Sequence, residues 1–235
     1  MNAALVKETV PSRFDDVAGT YDLLTGANPG YHRHLRMSAQ RMPLAPGARV
    51  LDLCCGTGSS TAGLRAAWPD AEILGVDASA GMLSVARTKP TLRATFVQGD
   101  AMDPDAAAPG EFDGILMAYG IRNMPDADLC LQRLLRKLKP GGTIAFHEYS
   151  VADSGWAAFK WNAVCWSVII PAGLLTSPRS DIYTYLRRSV VEFDGVTAFE
   201  RRLQAAGFVD VRTEPMDGWQ RGVLHTFLAR RPLDA

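Results

Sequence analysis

The sequence predicts an α/β fold: a seven-stranded mixed sheet with helices on both faces, five strands parallel and the last two forming an antiparallel hairpin. Three observations predict it. From Arg49 onward short apolar runs alternate with helix-period segments, these runs lead into polar or glycine-rich turns, and two final apolar runs are joined with no helix between them. A chain of 235 residues and 25.5 kDa has room for one core of this kind and little for a second. With 47% hydrophobic and 21% charged residues, it is neither a disordered chain nor a fibrous repeat. Lys plus Arg (25) equals Asp plus Glu (25), so the basic excess that a nucleic-acid partner requires is missing.

In chain order, residues 1–48 read as an N-terminal cap and residues 49–150 as the core that carries the parallel strands. Those strands are expected at Arg49–Leu53, Ala71–Val76, Ala94–Gln98, Phe112–Ala118 and Thr143–His147. Before the fifth, a helix starting at Pro125 carries Asp126 and Asp128 in its first turn. It places Leu131, Leu134, Leu135 and Leu138 on one face, and Pro140 is expected to stop it. Residues 151–195 form an aromatic insertion, read as two helices over Trp156–Phe193 broken near Pro171–Pro178. Its most apolar stretch, Trp161–Leu175, contains Asn162 and Pro171 and falls short of the ~20 residues that cross a bilayer. Residues 196–235 supply a helix from Val196 to about Ala206, closed by Gly207, and then the hairpin strands Val209–Glu214 and Val223–Arg230.

The four cysteines make no CxxC pair, so neither a zinc site nor a redox dithiol is expected, and reduced thiols fit a cytoplasmic protein. The start, MNAALVKETVPSR, puts charges and a proline where a secretion signal would be apolar.

The loop after the first strand, Leu51-Asp52-Leu53-Cys54-Cys55-Gly56-Thr57-Gly58, runs straight into a helix. Gly56 and Gly58 allow a tight turn and close approach of the backbone to a ligand. Asp77 follows 19 residues after Gly58 at the end of the second strand, where a carboxylate accepts both hydroxyls of a ribose. The third strand ends in Gly99-Asp100-Ala101, placing Asp100 where it can hydrogen-bond an adenine amino group. Asp52, Gly56, Gly58, Asp77 and Asp100 thus gather at the carboxyl ends of adjacent strands, where open α/β sheets bind ligands. NAD and S-adenosylmethionine sites share this arrangement. A dinucleotide fingerprint needs a third glycine where this chain has Thr61, which disfavours a pyrophosphate.

Three further segments carry a family resemblance: Phe14-Asp15-Asp16-Val17-Ala18-Gly19-Thr20-Tyr21-Asp22, Tyr119-Gly120-Ile121-Arg122-Asn123, and Leu138-Lys139-Pro140-Gly141-Gly142. With Tyr183–Val190 and Gly222–His225 they are spread along the chain, which over nearly its whole length resembles the ubiquinone/menaquinone biosynthesis C-methyltransferases, S-adenosylmethionine-dependent enzymes of Rossmann-like fold. The resemblance implies S-adenosylmethionine contacts at Thr57, Asp77, Asp100 and Ala101, with Tyr119 beside them. It also implies a polyprenylated quinol precursor as acceptor; methyl transfer from a sulfonium is an in-line displacement that needs no metal. Arg122 is expected to stabilise the acceptor's phenolate, and Tyr21 to hydrogen-bond the acceptor and close the site. The chain departs from the family at Ser59, where an acid usually follows Gly-Thr-Gly, at Ala118, commonly serine, and at His147, which reads either as an extra base or as a satisfied strand-end histidine.

Other readings compete with this one. A divergent relative would act on another aromatic or isoprenoid acceptor, or perform rhodoquinone-type chemistry on a finished quinone. A binding module would hold the cofactor or a lipid without turnover. The aromatic insertion, with Trp156, Phe159, Trp161 and Trp166, is suited to lining an isoprenoid channel, to a membrane surface at the inner face, or to a core or homodimer contact. Arg179, Arg187 and Arg188 stand near it and could meet anionic headgroups.

Overall fold

A computed structural model of the chain describes residues 7, 10–26, 28–176 and 181–233. Among them, seven strands form one sheet in the order β3-β2-β1-β4-β5-β7-β6. These are β1 (Arg49–Leu53), β2 (Glu72–Asp77), β3 (Thr95–Gln98), β4 (Phe112–Ala118), β5 (Leu138–Tyr149), β6 (Val209–Pro215) and β7 (Leu224–Arg230). The first five are parallel; β7 runs antiparallel to both β5 and β6, as the missing crossover helix predicts. The strand order reverses direction between β1 and β4, leaving a crevice at their carboxyl ends.

Alternation along the strands splits the core into two layers. Leu51, Leu53, Ile115, Met117 and Phe146 face Leu131, Leu134 and Phe199 of α6 (Ala127–Lys137) and α10 (Val196–Ala205). Val50, Leu116 and Ala145 face the other way, toward Met42 and Leu64, under α2 (Tyr31–Gln40) and α3 (Ser59–Ala67). Burial on both faces is why these strands read as continuous apolar runs.

Several boundaries differ from expectation. The helix before β5 starts two residues past Pro125, capped by Asp126, whose carboxylate accepts from the Leu129 N–H at 2.9 Å. It ends at Lys137, and Leu138 already pairs with Phe112, so Pro140 stops nothing. It sits instead in an irregular stretch of β5, where the register slips between Phe112–Leu138 and Gly114–Thr143.

The insertion has two helical stretches, as expected, and the first ends at Thr176, inside the expected Pro171–Pro178 break, but not at the proline that was to cause it. Pro171 does not break a helix: α7 (Gly155–Val164) continues through a π-helical turn (Cys165–Ile169) into α8 (Ile170–Thr176). The wider π turn precedes the proline and takes up its missing N–H and the crowding of its ring against the carbonyl four residues back. The segment Gly155–Leu175, 21 residues, is consequently long and apolar enough to cross a membrane by length and composition, which corrects the shorter reading. Pro178 and Arg179 lie outside the described residues. The chain resumes in α9 (Ile182–Glu192). The remaining helices are α1 (Val10–Gly26), α4 (Ala80–Arg87) and the short α5 (Pro104–Ala107).

Candidate functional site

The crevice is a cavity of about 340 Å³, lined from the ends of β1, β2 and β4, by the Gly99–Met102 segment after β3, and by Phe14 and Tyr21 of α1 above. Cys54 and Tyr119, the residues directly after β1 and β4, both line it and both adopt left-handed backbone (φ 60° and 58°). For non-glycine residues this conformation is strained and held only by the surrounding fold, as at many binding sites.

Gly56 also lies on the cavity wall with φ 54°, and a Cβ built there would meet no atom within 4 Å. The loop therefore presents bare backbone to open space. Gly58 (φ 88°) caps α3 and is hemmed in by Leu92, so its role is to let the chain turn. Asp77 ties the loop to β2: Oδ2 accepts from the Gly56 N–H at 2.8 Å and Oδ1 from the Ser79 N–H at 2.9 Å. Burial raises the Asp77 pKa, against the pull of those two backbone donors. Asp100 accepts from the Met102 N–H at 2.8 Å and stands on the same wall.

The sheet geometry removes Asp52 from this group. As the neighbour of Leu51 and Leu53 it points to the opposite face, fully buried, where Ser60 and Thr61 donate to its Oδ2 at 2.9 and 2.5 Å. Burial pushes its pKa up to about 7. The threonine in place of a third glycine is thus engaged by the strand beneath. Thr57 is buried as well, its hydroxyl donating to Asp22 of α1 at 2.5 Å.

Residues that sequence reading did not single out close the roof. Lys89 donates to Asp22 at 2.5 Å and to the Thr57 carbonyl at 2.7 Å, while Asp15 accepts from the Ser79 hydroxyl at 2.6 Å and the Gly81 N–H at 2.8 Å. The two acids lie in the quoted N-terminal motif, which was the available signal; nothing in the sequence marks Lys89.

Arg122 lies behind the wall. Its Nη1 donates to Glu148 Oε1 at 2.6 Å and to the Tyr119 carbonyl at 3.0 Å, and Nε donates to Ser189 at 3.3 Å. Neither Arg122 nor Asp52, Thr57 or Gly58 lines the cavity, whereas Tyr21, Gly56, Asp77, Asp100, Ala101 and Tyr119 do. Asn123 also lines it, held by the Tyr119 carbonyl at 3.0 Å and by the Tyr185 hydroxyl at 3.1 Å. Tyr119 is stacked between Tyr31 and Tyr149, and its hydroxyl meets His147 Nε2 at 2.9 Å. The other ring nitrogen of His147 meets Ser38 at 2.7 Å, and burial lowers its pKa to about 3. The histidine is the satisfied, neutral strand-end residue of the two readings.

Among the described residues no group of three or more His, Cys, Asp or Glu side chains is placed to hold a metal ion.

Comparison with known proteins agrees with this architecture. The ubiE/COQ5 methyltransferase family matches residues 3–227. A demethylmenaquinone methyltransferase of Staphylococcus aureus (strain JH9) is 32% identical over 219 residues, covering 90% of each chain. Among solved structures, a phosphoethanolamine N-methyltransferase 2 of Haemonchus contortus in complex with S-adenosyl-L-methionine superposes with TM-score 0.68 at 18% identity, over 98% of this chain and 61% of that one. The [4+2]-cyclase SpnF superposes with TM-score 0.69 at 19% identity, over 99% and 98%. Fold and site together define a Rossmann-like S-adenosylmethionine-dependent methyltransferase. The chain belongs to the ubiE/COQ5 methyltransferase family.

Proposed function

We propose that this enzyme C-methylates a polyprenylated quinol precursor. The observation that carries the reading is the order of groups along one cavity: carboxylates Asp100 after β3 and Asp77 at the end of β2, bare glycine backbone after β1, and Tyr119 with Asn123 after β4, all beneath Phe14 and Tyr21. The cofactor supplies an activated methyl on a sulfonium, and the protein's task is alignment. Each Asp77 oxygen, already accepting one backbone N–H, keeps a lone pair for a ribose hydroxyl, and Asp100 suits an adenine amino group. Gly56 leaves room for the cofactor beside the loop.

On the β4 side, Tyr21 holds the acceptor's hydroxyl. Arg122, paired with Glu148 and not facing the cavity, acts as a positioning residue: it fixes the Tyr119 carbonyl and the turn that presents Asn123. Its charge also favours an anion at Tyr21, opposing the burial that raises that phenol's pKa. Phe14, Met82, Met102 and Met124 give the rest of the cavity an apolar lining suited to a quinol ring and the start of its tail. Such an acceptor resides in a bilayer, so the enzyme works as a peripheral protein. Ala118 on the cavity wall keeps a second reading in view, a different aromatic or isoprenoid acceptor in the same fold.

The test is turnover by the pure protein with S-adenosylmethionine and a reduced demethylated prenyl quinone, read by mass spectrometry as a gain of one ring methyl. It is paired with analysis of quinones from cells with and without the gene. A quinone pool that keeps every methyl when the gene is deleted, with no product in the purified reaction, sinks the assignment.

A further inference from the structure

The face of α7 and α8 that turns away from the core is covered by large apolar side chains. Trp156 (66% exposed), Phe159 (60%), Trp166 (59%), Val168, Leu174 and Leu175 (86%) all stand in solvent. The opposite face of the same helix is core: Ala157, Trp161 and Cys165 are buried, and Trp161 packs on Tyr149 with ring centroids 4.5 Å apart. Tyr149 in turn stacks on Tyr119 of the cavity wall. One helix thus has an inner side joined to the site and an outer side that no described residue covers. An exposed apolar surface of this kind marks an interaction site.

We propose that this outer face docks on a phospholipid bilayer, lying in the boundary between headgroups and acyl chains. Three features of the molecule choose a bilayer over a protein surface. Between Gly155 and Thr176 there is no acidic residue and one basic one, Lys160, whose ammonium is held by the carbonyls of Arg221, at 2.7 Å, and Trp219. Tryptophan and phenylalanine dominate the outer face, and tryptophan prefers the membrane interface, where an apolar ring and an N–H are both satisfied. Cations border it: the Arg187 guanidinium sits 5.2 Å from the Trp166 ring centroid, and Arg188 on the same helix α9 is exposed, its one ion pair a 3.9 Å solvent-facing contact with Glu192 that an anionic headgroup can replace.

The same helix does not span. Trp161 fills the core at 0% exposure, and Lys160 is tied to the segment between β6 and β7, so inserting Gly155–Leu175 across a bilayer would empty the core of its largest side chain. The helix lies on the surface, as amphipathic interfacial helices do. The biological purpose rests on the lipid-quinol reading of the cavity, since such an acceptor is delivered from a bilayer. The docking itself does not depend on that reading.

The experiment is flotation of the full chain with vesicles of phosphatidylcholine alone and of phosphatidylcholine mixed with phosphatidylglycerol. The wild-type protein floats with both, more with the anionic mixture. In the double variant Trp156→Ser/Phe159→Ser partitioning falls about tenfold or more, while the melting temperature and the affinity for S-adenosylhomocysteine stay unchanged because both side chains are exposed. Arg188→Gln loses only the extra binding to the anionic mixture. Flotation that persists while no prenyl quinol is methylated leaves the docking standing and removes the substrate reading. Two results overturn the docking: wild-type protein that stays with the unbound fraction for both vesicles, or light scattering that shows a dimer which the same double variant dissociates, since a second copy then covers the face.

Discussion

Arg122 and Glu148 form an ion pair sealed in the protein, with 5% and 0% of their side chains exposed and 2.6 Å between Nη1 and Oε1. Glu148 Oε1 also accepts from its neighbour's backbone, the Tyr149 N–H at 2.9 Å. The pair joins the turn after β4 to the end of β5, the two edges between which Tyr119 is held. Removing one partner strands a buried charge and costs about 3 to 5 kcal/mol. Arg122→Ala is therefore expected to lower thermal stability strongly as well as turnover, and Glu148→Gln to do likewise. Denaturant unfolding of both single variants and the double measures it. Single variants as stable as wild type would show that the pair is dispensable to the fold.

Asp77 should govern cofactor affinity. Charge-assisted hydrogen bonds are worth roughly 1.5 to 3 kcal/mol each, so Asp77→Ala is expected to weaken S-adenosylhomocysteine binding at least about tenfold. Because the same carboxylate holds the Gly56 and Ser79 amides, a modest loss of stability accompanies it. Calorimetry on folded variant decides, and an unchanged dissociation constant would place the ribose elsewhere.

Asp52 makes stability depend on pH. Its folded-state pKa of about 7 lies above the ordinary carboxyl value because the group is buried, so the folded chain holds a proton that the unfolded chain releases. That contribution is complete below the unfolded value of about 4 and is lost as pH rises through about 7. Asp52→Asn, which keeps an uncharged acceptor for Ser60 and Thr61, is expected to flatten the decline of the unfolding midpoint between pH 5 and pH 8. Identical pH profiles for the two proteins would refute the buried proton.

Lys89 pairs with Asp22 of α1 at partly exposed positions, 30% and 38% of side-chain area, and donates to the Thr57 carbonyl of the glycine loop, so it joins the two. A pair so placed contributes at most about 1 kcal/mol to stability. Lys89→Met is expected to leave the melting temperature nearly unchanged while speeding cofactor release, since the roof segment loses a tie. Stopped-flow displacement of S-adenosylhomocysteine tests this; an unaltered release rate would separate the bridge from closure.

Metal independence is the simplest expectation. Activity should survive dialysis against a chelator, because the sulfonium carries its own leaving group. Turnover lost on chelation and restored by one divalent ion would favour the altered-chemistry reading of the cavity.

The amino-acid sequence by itself determined the five parallel strands of the cofactor half, the hairpin without a crossover, and the carboxylates at the ends of β2 and β3. These are legible because strand burial, turn chemistry and the glycine spacing are local properties, readable within a few residues. Tertiary structure decided what lies a residue apart on opposite faces. Asp52 belongs to the glycine loop in sequence, yet strand alternation turns it to the α3 side, where it meets Thr61. Arg122 sits in the narrowest motif, yet its guanidinium turns back to Glu148, a partner 26 residues away that no spacing rule names. Trp161 and Trp166 look alike in the insertion, but one helix carries them on different faces, and its packing buries one against Tyr149 and leaves the other in solvent. In each case the direction of a side chain decides its role, and direction is set by packing between elements far apart in the chain.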